Sequence, residues 1–182
     1  WPYGARDNLL EAHKKNPMDV NVLYYLAKAC ARSSWKEEGI AYMNKAFDMV
    51  VPTDSMMIRL YDGLLECYKF HTKADPYEKI EVMKEAYSYT KRYTLFYQIA
   101  EIYDYQKDYV NAVHYYEKYM ALVPKNKQVA LDDEGKPMHD VQTMYQRARR
   151  RVEKIKVEDF FRNGAHDDYF EPKRMLLNGK KL

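Results

Sequence analysis

Side chains able to do chemistry are present in this sequence, and their spacing decides whether they can act together. The five histidines, His13, His71, His114, His139 and His166, are scattered, with no pair at i, i+4 on one helix, as a paired metal-ligand set would need. Asp132-Asp133-Glu134 crowds three carboxylates into one loop, but consecutive acids lack the alternate-position spacing by which an EF-hand wraps calcium. That run reads as a solvated acidic turn, and so does His166-Asp167-Asp168. Phosphate-cradling G-x-G-x-x-G and G-x-x-x-x-G-K-[ST] loops are absent, as are H-E-x-x-H and G-x-S-x-G. No catalytic residue, metal ligand or cofactor is assigned, and the chain is expected not to be an enzyme.

Two further groupings remain. Arg147, Arg149, Arg150, Arg151, Lys154 and Lys156 gather in a short stretch that could meet phosphates or an anionic lipid surface. Glu153 and Glu158 interrupt it, and Tyr145 is the one ring nearby on which a base could stack. A solvated helix face is the preferred reading, with a basic module for RNA or anionic lipid as the alternative. Cys30 and Cys67 both lie in apolar stretches and read as free buried thiols.

The chain has 182 residues, enough for one domain with a real core. A net charge of +3 is too mild for a dedicated nucleic-acid binder. No apolar run approaches the roughly 18 residues that a membrane span requires. The opening Trp1-Pro2-Tyr3 has neither Met nor a signal-like segment, which leads us to expect a piece of a longer protein. Its compartment stays open between cytoplasm and cell envelope.

The elements that must position these groups are helices. Only 6 Gly and 7 Pro leave long uninterrupted segments. Three of the prolines, Pro17, Pro52 and Pro124, each follow an apolar run; the first two lie about 35 residues apart and the third about two such periods further on. From Thr94 to Pro124 the chain reads Phe96-x2-Ile99-Ala100-x2-Tyr103, a polar break at Gln106-Lys107-Asp108, then Ala112-x3-Tyr116 and Pro124. Large residues at i, i+3 and i+7 form a buried stripe, small Ala100 and Ala112 let two helices approach, and Pro124 ends the second. Looser copies are Leu23-x2-Leu26-Ala27-x2-Cys30 with Gly39-x3-Met43, Ala46 and Pro52, and Tyr61-x2-Leu64-Leu65-x2-Tyr68 with Met83 and Ala86.

This pattern resembles the tetratricopeptide repeat family. The resemblance implies an all-α, right-handed α-α superhelix over residues 1–126: a half repeat 4–17, then repeats 18–52, 53–92 and 93–126. The half repeat matches only a second helix, so its partner helix is expected upstream. Departures are Ser34 and Lys107 where the family turn carries glycine, and Leu65 in place of a small residue, which predicts looser packing in the middle repeat. Residues 127–164 form a loop and a long capping helix, from about Met138 to Arg162, with Val141, Tyr145, Ala148, Val152 and Ile155 as its apolar stripe and Asn163-Gly164 as its stop. Residues 165–182 are a tail without a clear period.

Function follows from the resemblance rather than from any motif. In the family, the first helix of each hairpin lines a concave groove that holds a partner. Carried over position by position, the groove residues are Asn21, Tyr24 and Lys28; Arg59, Asp62, Glu66 and Lys69; and Thr94, Tyr97, Glu101 and Asp104. The carboxylates of Asp62, Glu66, Glu101 and Asp104 suit a basic peptide, with tyrosine supplying contact area. The family's carboxylate clamp is missing, because its positions hold Tyr24, Lys28, Gly63, Thr94 and Gln98. The expected function is a scaffold for another protein or peptide, with a homodimer compatible and nucleic acid disfavoured. The alternatives are the basic-helix module and a regulatory arm of an enzyme lying outside this fragment.

Overall fold

The structure, a computed structural model, describes residues 2–51, 53–138 and 141–163. Pro52, His139, Gly164 and the tail with His166-Asp167-Asp168 lie outside the described residues. By its internal contacts the chain divides into two compact units, residues 1–91 and 92–182.

The first unit holds α1 (Pro2–Lys15), α2 (Val20–Ala31), α3 (Lys36–Asp48), α4 (Asp54–Phe70) and α5 (Pro76–Thr90). Three of these helices start where a side chain satisfies otherwise orphaned amides. Asp19 accepts from the Asn21 and Val22 amides, Thr53 from Met56, and Asp75 from Tyr77 just ahead of Pro76 at the first turn. The core joins Leu23, Ala27 and Ala31 of α2 to Met43 and Ala46 of α3 and to Leu60, Leu64 and Cys67 of α4. Gly39 shows how tightly α2 and α3 meet. A Cβ there would stand 2.9 Å from the Ala27 carbonyl oxygen and 3.0 Å from the Ala31 amide nitrogen, and both are backbone atoms. α4 and α5 touch less extensively than α2 and α3 do. Both cysteines are buried and free, and burial pushes the Cys67 thiol up to about 12.

The second unit holds α6 (Thr94–Tyr105), α7 (Tyr109–Leu122), a short 3-10 turn (Lys125–Lys127) and α8 (Met144–Asn163). Its core is aromatic. Phe96, Ile99, Ala100 and Tyr103 of α6 pack with Ala112, Val113, Tyr116 and Tyr119 of α7 and with Ala148, Val152 and Ile155 of α8, all buried. Tyr103 stacks on Tyr115 at 5.5 Å, and the Tyr97 ring meets Tyr116 and Tyr119 edge-on at 5.5 and 5.3 Å. In the α6–α7 turn, Lys107 adopts φ 62°, the left-handed conformation that the family's glycine reaches without strain.

The capping helix begins later than the stripe implied. Thr143 is the reason: its hydroxyl accepts from the Gln146 amide while the Gln146 side chain accepts from the Thr143 amide, a reciprocal capping box. Val141 is 44% exposed and falls in the preceding loop rather than in the stripe. In that loop Asp132 accepts from the amides of Glu134 and Lys136, Lys136 pairs with Glu134 at 2.7 Å, and Gly135 turns the chain at φ 80°. Among the described residues the one β-type pairing is the bridge Leu131–Pro137, which closes this turn.

Candidate partner-binding face

In the first unit, α2 and its C-terminal cap residue Arg32 present the ridge Asn21, Tyr25, Lys28 and Arg32, at steps of i, i+4, i+7 and i+11. Tyr24, the expected groove tyrosine, is only 8% exposed and belongs to the core beneath this ridge, whereas Tyr25 is 52% exposed. The neighbouring α4 supplies Arg59, Asp62, Glu66 and Lys69. Gly63, between them, gives Tyr24 its space: a Cβ there would stand 2.7 Å from the Tyr24 ring. The Glu66 carboxylate receives Lys28 Nζ at 2.8 Å and Arg32 Nε at 2.7 Å. Partial burial opposes its ionisation, but the hydrogen bonds and charges of Lys28 and Arg32 hold it below the ordinary carboxylate range. The same bond to Glu66 raises Lys28. The Arg59 guanidinium lies 4.6 Å from the centre of the Tyr24 ring and 5.9 Å from that of Tyr25, and Lys28 Nζ is 5.2 Å from Tyr24.

In the second unit, α6 places Thr94, Tyr97, Glu101 and Asp104. Tyr97 is 7% exposed, held among the tyrosines of α7. Asp104 takes a bidentate pair of bonds from Arg151 of α8, Nε and Nη2 each at 2.6 Å, and accepts from the Tyr116 hydroxyl at 3.5 Å. That bond raises Arg151 further above its ordinary value. Desolvation raises the Glu101 carboxyl, against the Tyr97 hydroxyl and the nearby charge of Arg147, which pull it down.

The structure therefore brings Tyr24, Lys28, Arg59 and Glu66 together in the first unit, and Tyr97, Glu101 and Asp104 in the second. Asn21 and Lys69 stay exposed at the ends of their ridges, and Asp62 is exposed but engaged. Sequence reasoning missed Tyr25 and Arg32, which the four-then-three step from Asn21 could have found. It also read Arg147 and Arg151 as part of a solvated face, when they stand beside Glu101 and Asp104. Four cations of that cluster meet carboxylates: Arg149 with Glu153 (2.9 Å), Arg151 with Asp104, Lys154 with Glu158 (3.7 Å) and Lys156 with Glu117 (2.7 Å). Most of the charge that would recruit RNA or anionic lipid is thus matched within the unit. No helix among the described residues is long and apolar enough to cross a membrane, and no three His, Cys, Asp or Glu side chains among them gather as a metal cluster.

No family model matches the sequence, and no curated protein matches it significantly. Crystal structures of MamA share its fold. One superposes over 93% of this chain and 82% of its own, at TM-score 0.58 and 15% identity. A second covers 91% of this chain and 87% of its own, at TM-score 0.53 and 16% identity. Likeness at such low identity speaks for fold alone, and it identifies an all-α, helical-repeat superhelical fold.

Proposed function

We propose that this chain is a non-catalytic protein-interaction scaffold whose α2/α4 face holds a segment of a partner protein. One observation carries the reading. Tyr25 is solvent-exposed on a face whose charged groups are already ordered, with Glu66 held between Lys28 and Arg32 and Arg59 laid against tyrosine rings. A contact surface fixed before binding loses little side-chain freedom when a partner arrives, and tyrosine and arginine are the residues that anchor interfaces. The likeness to MamA supports the helical-repeat fold on which such a face is built.

Selection of a random peptide library on the immobilised protein tests the proposal. Peptides enriched on the wild type should be lost, by about tenfold or more in affinity, from the double variant Tyr25→Ala/Arg59→Ala. Peptides that bind both forms equally would remove the α2/α4 face as the working surface.

A further inference from the structure

The charges on the α2/α4 face point to a partner of the opposite kind from the basic peptide that its carboxylates suggest in sequence. Four cations, Lys28, Arg32, Arg59 and Lys69, stand with two carboxylates, Asp62 and Glu66. Glu66 is the shared acceptor of Lys28 and Arg32, so that triad carries surplus positive charge and has no lone carboxylate to offer a lysine-rich ligand. Asp62 is engaged as well. Among the described residues no carboxylate reaches Arg59; the rings of Tyr24 and Tyr25 hold it instead. A guanidinium laid on an aromatic face keeps its N–H edge available, and that edge matches a carboxylate in bidentate geometry. Lys69, nearly three turns further along α4, is exposed beside the Phe70 ring.

Resting on the scaffold reading, we infer that the α2/α4 face binds an acidic segment of its partner, with one carboxylate seated on Arg59 beside the exposed Tyr25 ring and others meeting Lys28 and Arg32. Opposite charge in the ligand adds to the surplus, whereas a basic ligand must first displace the internal cations from Glu66. Tyr25 offers contact area to an apolar side chain next to the bound carboxylate.

Two labelled peptides test this on the whole chain by fluorescence anisotropy, a repeat of Glu-Glu-Phe and a matched repeat of Lys-Lys-Phe, with polyuridylate as a third probe. The acidic peptide should bind at least about tenfold more tightly than the basic one, and more weakly as salt rises. Arg59→Glu should weaken it by about tenfold or more. Glu66→Gln should instead tighten it several-fold, because Lys28 and Arg32 are released toward the ligand. That gain is the decisive arm, since a variant that merely damaged the fold would not produce it. Circular dichroism should show both variants as helical as the wild type. Equal or tighter binding of the basic peptide, no response to either substitution, or polyuridylate binding that outcompetes the acidic peptide would each overturn the inference. The library selection separates the two levels of failure: non-acidic peptides lost on Tyr25→Ala/Arg59→Ala would keep the scaffold face and sink its acidic preference, while no face-dependent peptide at all would sink both.

Discussion

Lys28 of α2 and Glu101 of α6 occupy the same position of the repeat, yet the faces around them have opposite economies of charge. In the first unit the groups around Lys28 leave positive charge in excess, and an exposed ring, Tyr25, stands at the surface. In the second, the buried Tyr97 and the Asp104–Arg151 pair turn the corresponding chemistry inward. The two hairpins differ in parallel. Gly39 and Ala46 of α3 stand where α7 has Ala112 and Tyr119, so the first hairpin closes on backbone contact and the second on stacked rings. The difference teaches that one repeat pattern can build either a surface that waits for a partner or a surface that satisfies itself. A neighbouring helix that carries the complementary charge decides which.

Removing one carboxylate from each face separates the two most strongly. Asp104 and Arg151 are only 15% and 29% exposed at their side chains, so Asp104→Ala leaves a poorly solvated guanidinium and should cost about 2 kcal/mol. Glu66 and Lys28 are about as little exposed, at 18% and 26%, but Arg32 at 53% already reaches water and Lys28 keeps the Tyr24 ring beside it, so Glu66→Ala should cost less, about 1 kcal/mol. Urea denaturation measures both. Equal losses would mean that Glu66 is as structural as Asp104, and the contrast between an open and a closed face would fall.

A smaller effect separates the two turns that lack the glycine of the tetratricopeptide pattern. Lys107 carries φ 62°, and Ser34 is not among the residues with positive φ. Lys107→Gly should therefore stabilise by about 1 kcal/mol, since glycine enters the left-handed region freely. Ser34→Gly should bring no gain, because it relieves no strain, widens the unfolded ensemble and removes the hydroxyl that lies 3.1 Å from the Tyr3 hydroxyl. A gain at Ser34 matching that at Lys107 would show that turn strain is not what distinguishes them.

The helices were legible because their stripes repeat. Phe96, Ile99, Ala100 and Tyr103 are all buried, as the spacing requires. The face was legible only to within a residue. Neighbouring residues of a helix point only about 100° apart, so the stripe alone leaves Tyr24 and Tyr25 both near its edge, and packing over Gly63 settles that Tyr24 is the buried one. The start of α8 was written in Thr143-x-x-Gln146, a stronger signal than the chance four-residue step from Val141. The Asp104–Arg151 pair had no local signal at all. Its members are 47 positions apart, and an ion pair across that separation exists only once α8 has docked.

The smallest effect expected is on pH dependence, and it tests whether the two units respond alike. His13 of α1 lies edge-on to Tyr42 at 5.8 Å, with Nε2 3.5 Å from Lys45 Nζ and a buried Nδ1 that has no hydrogen-bond partner among the described residues. Burial lowers its pKa, and Lys45 lowers it further. His114 of α7 is lowered chiefly by burial and then by Lys118, with Glu117 pulling the other way. Both groups thus have folded-state values below the unfolded one, so the unfolded chain binds the extra proton in the interval between them. Their contribution to stability is complete above the unfolded value of about 6.5 and is lost as pH falls through the folded values. Urea midpoints should accordingly drop between about pH 7.5 and pH 5, ahead of most carboxylate titration. His13→Gln and His114→Gln should each remove part of this slope, because burial disfavours the charged ring at both positions. An unchanged slope in both variants would place the pH sensitivity outside these two histidines.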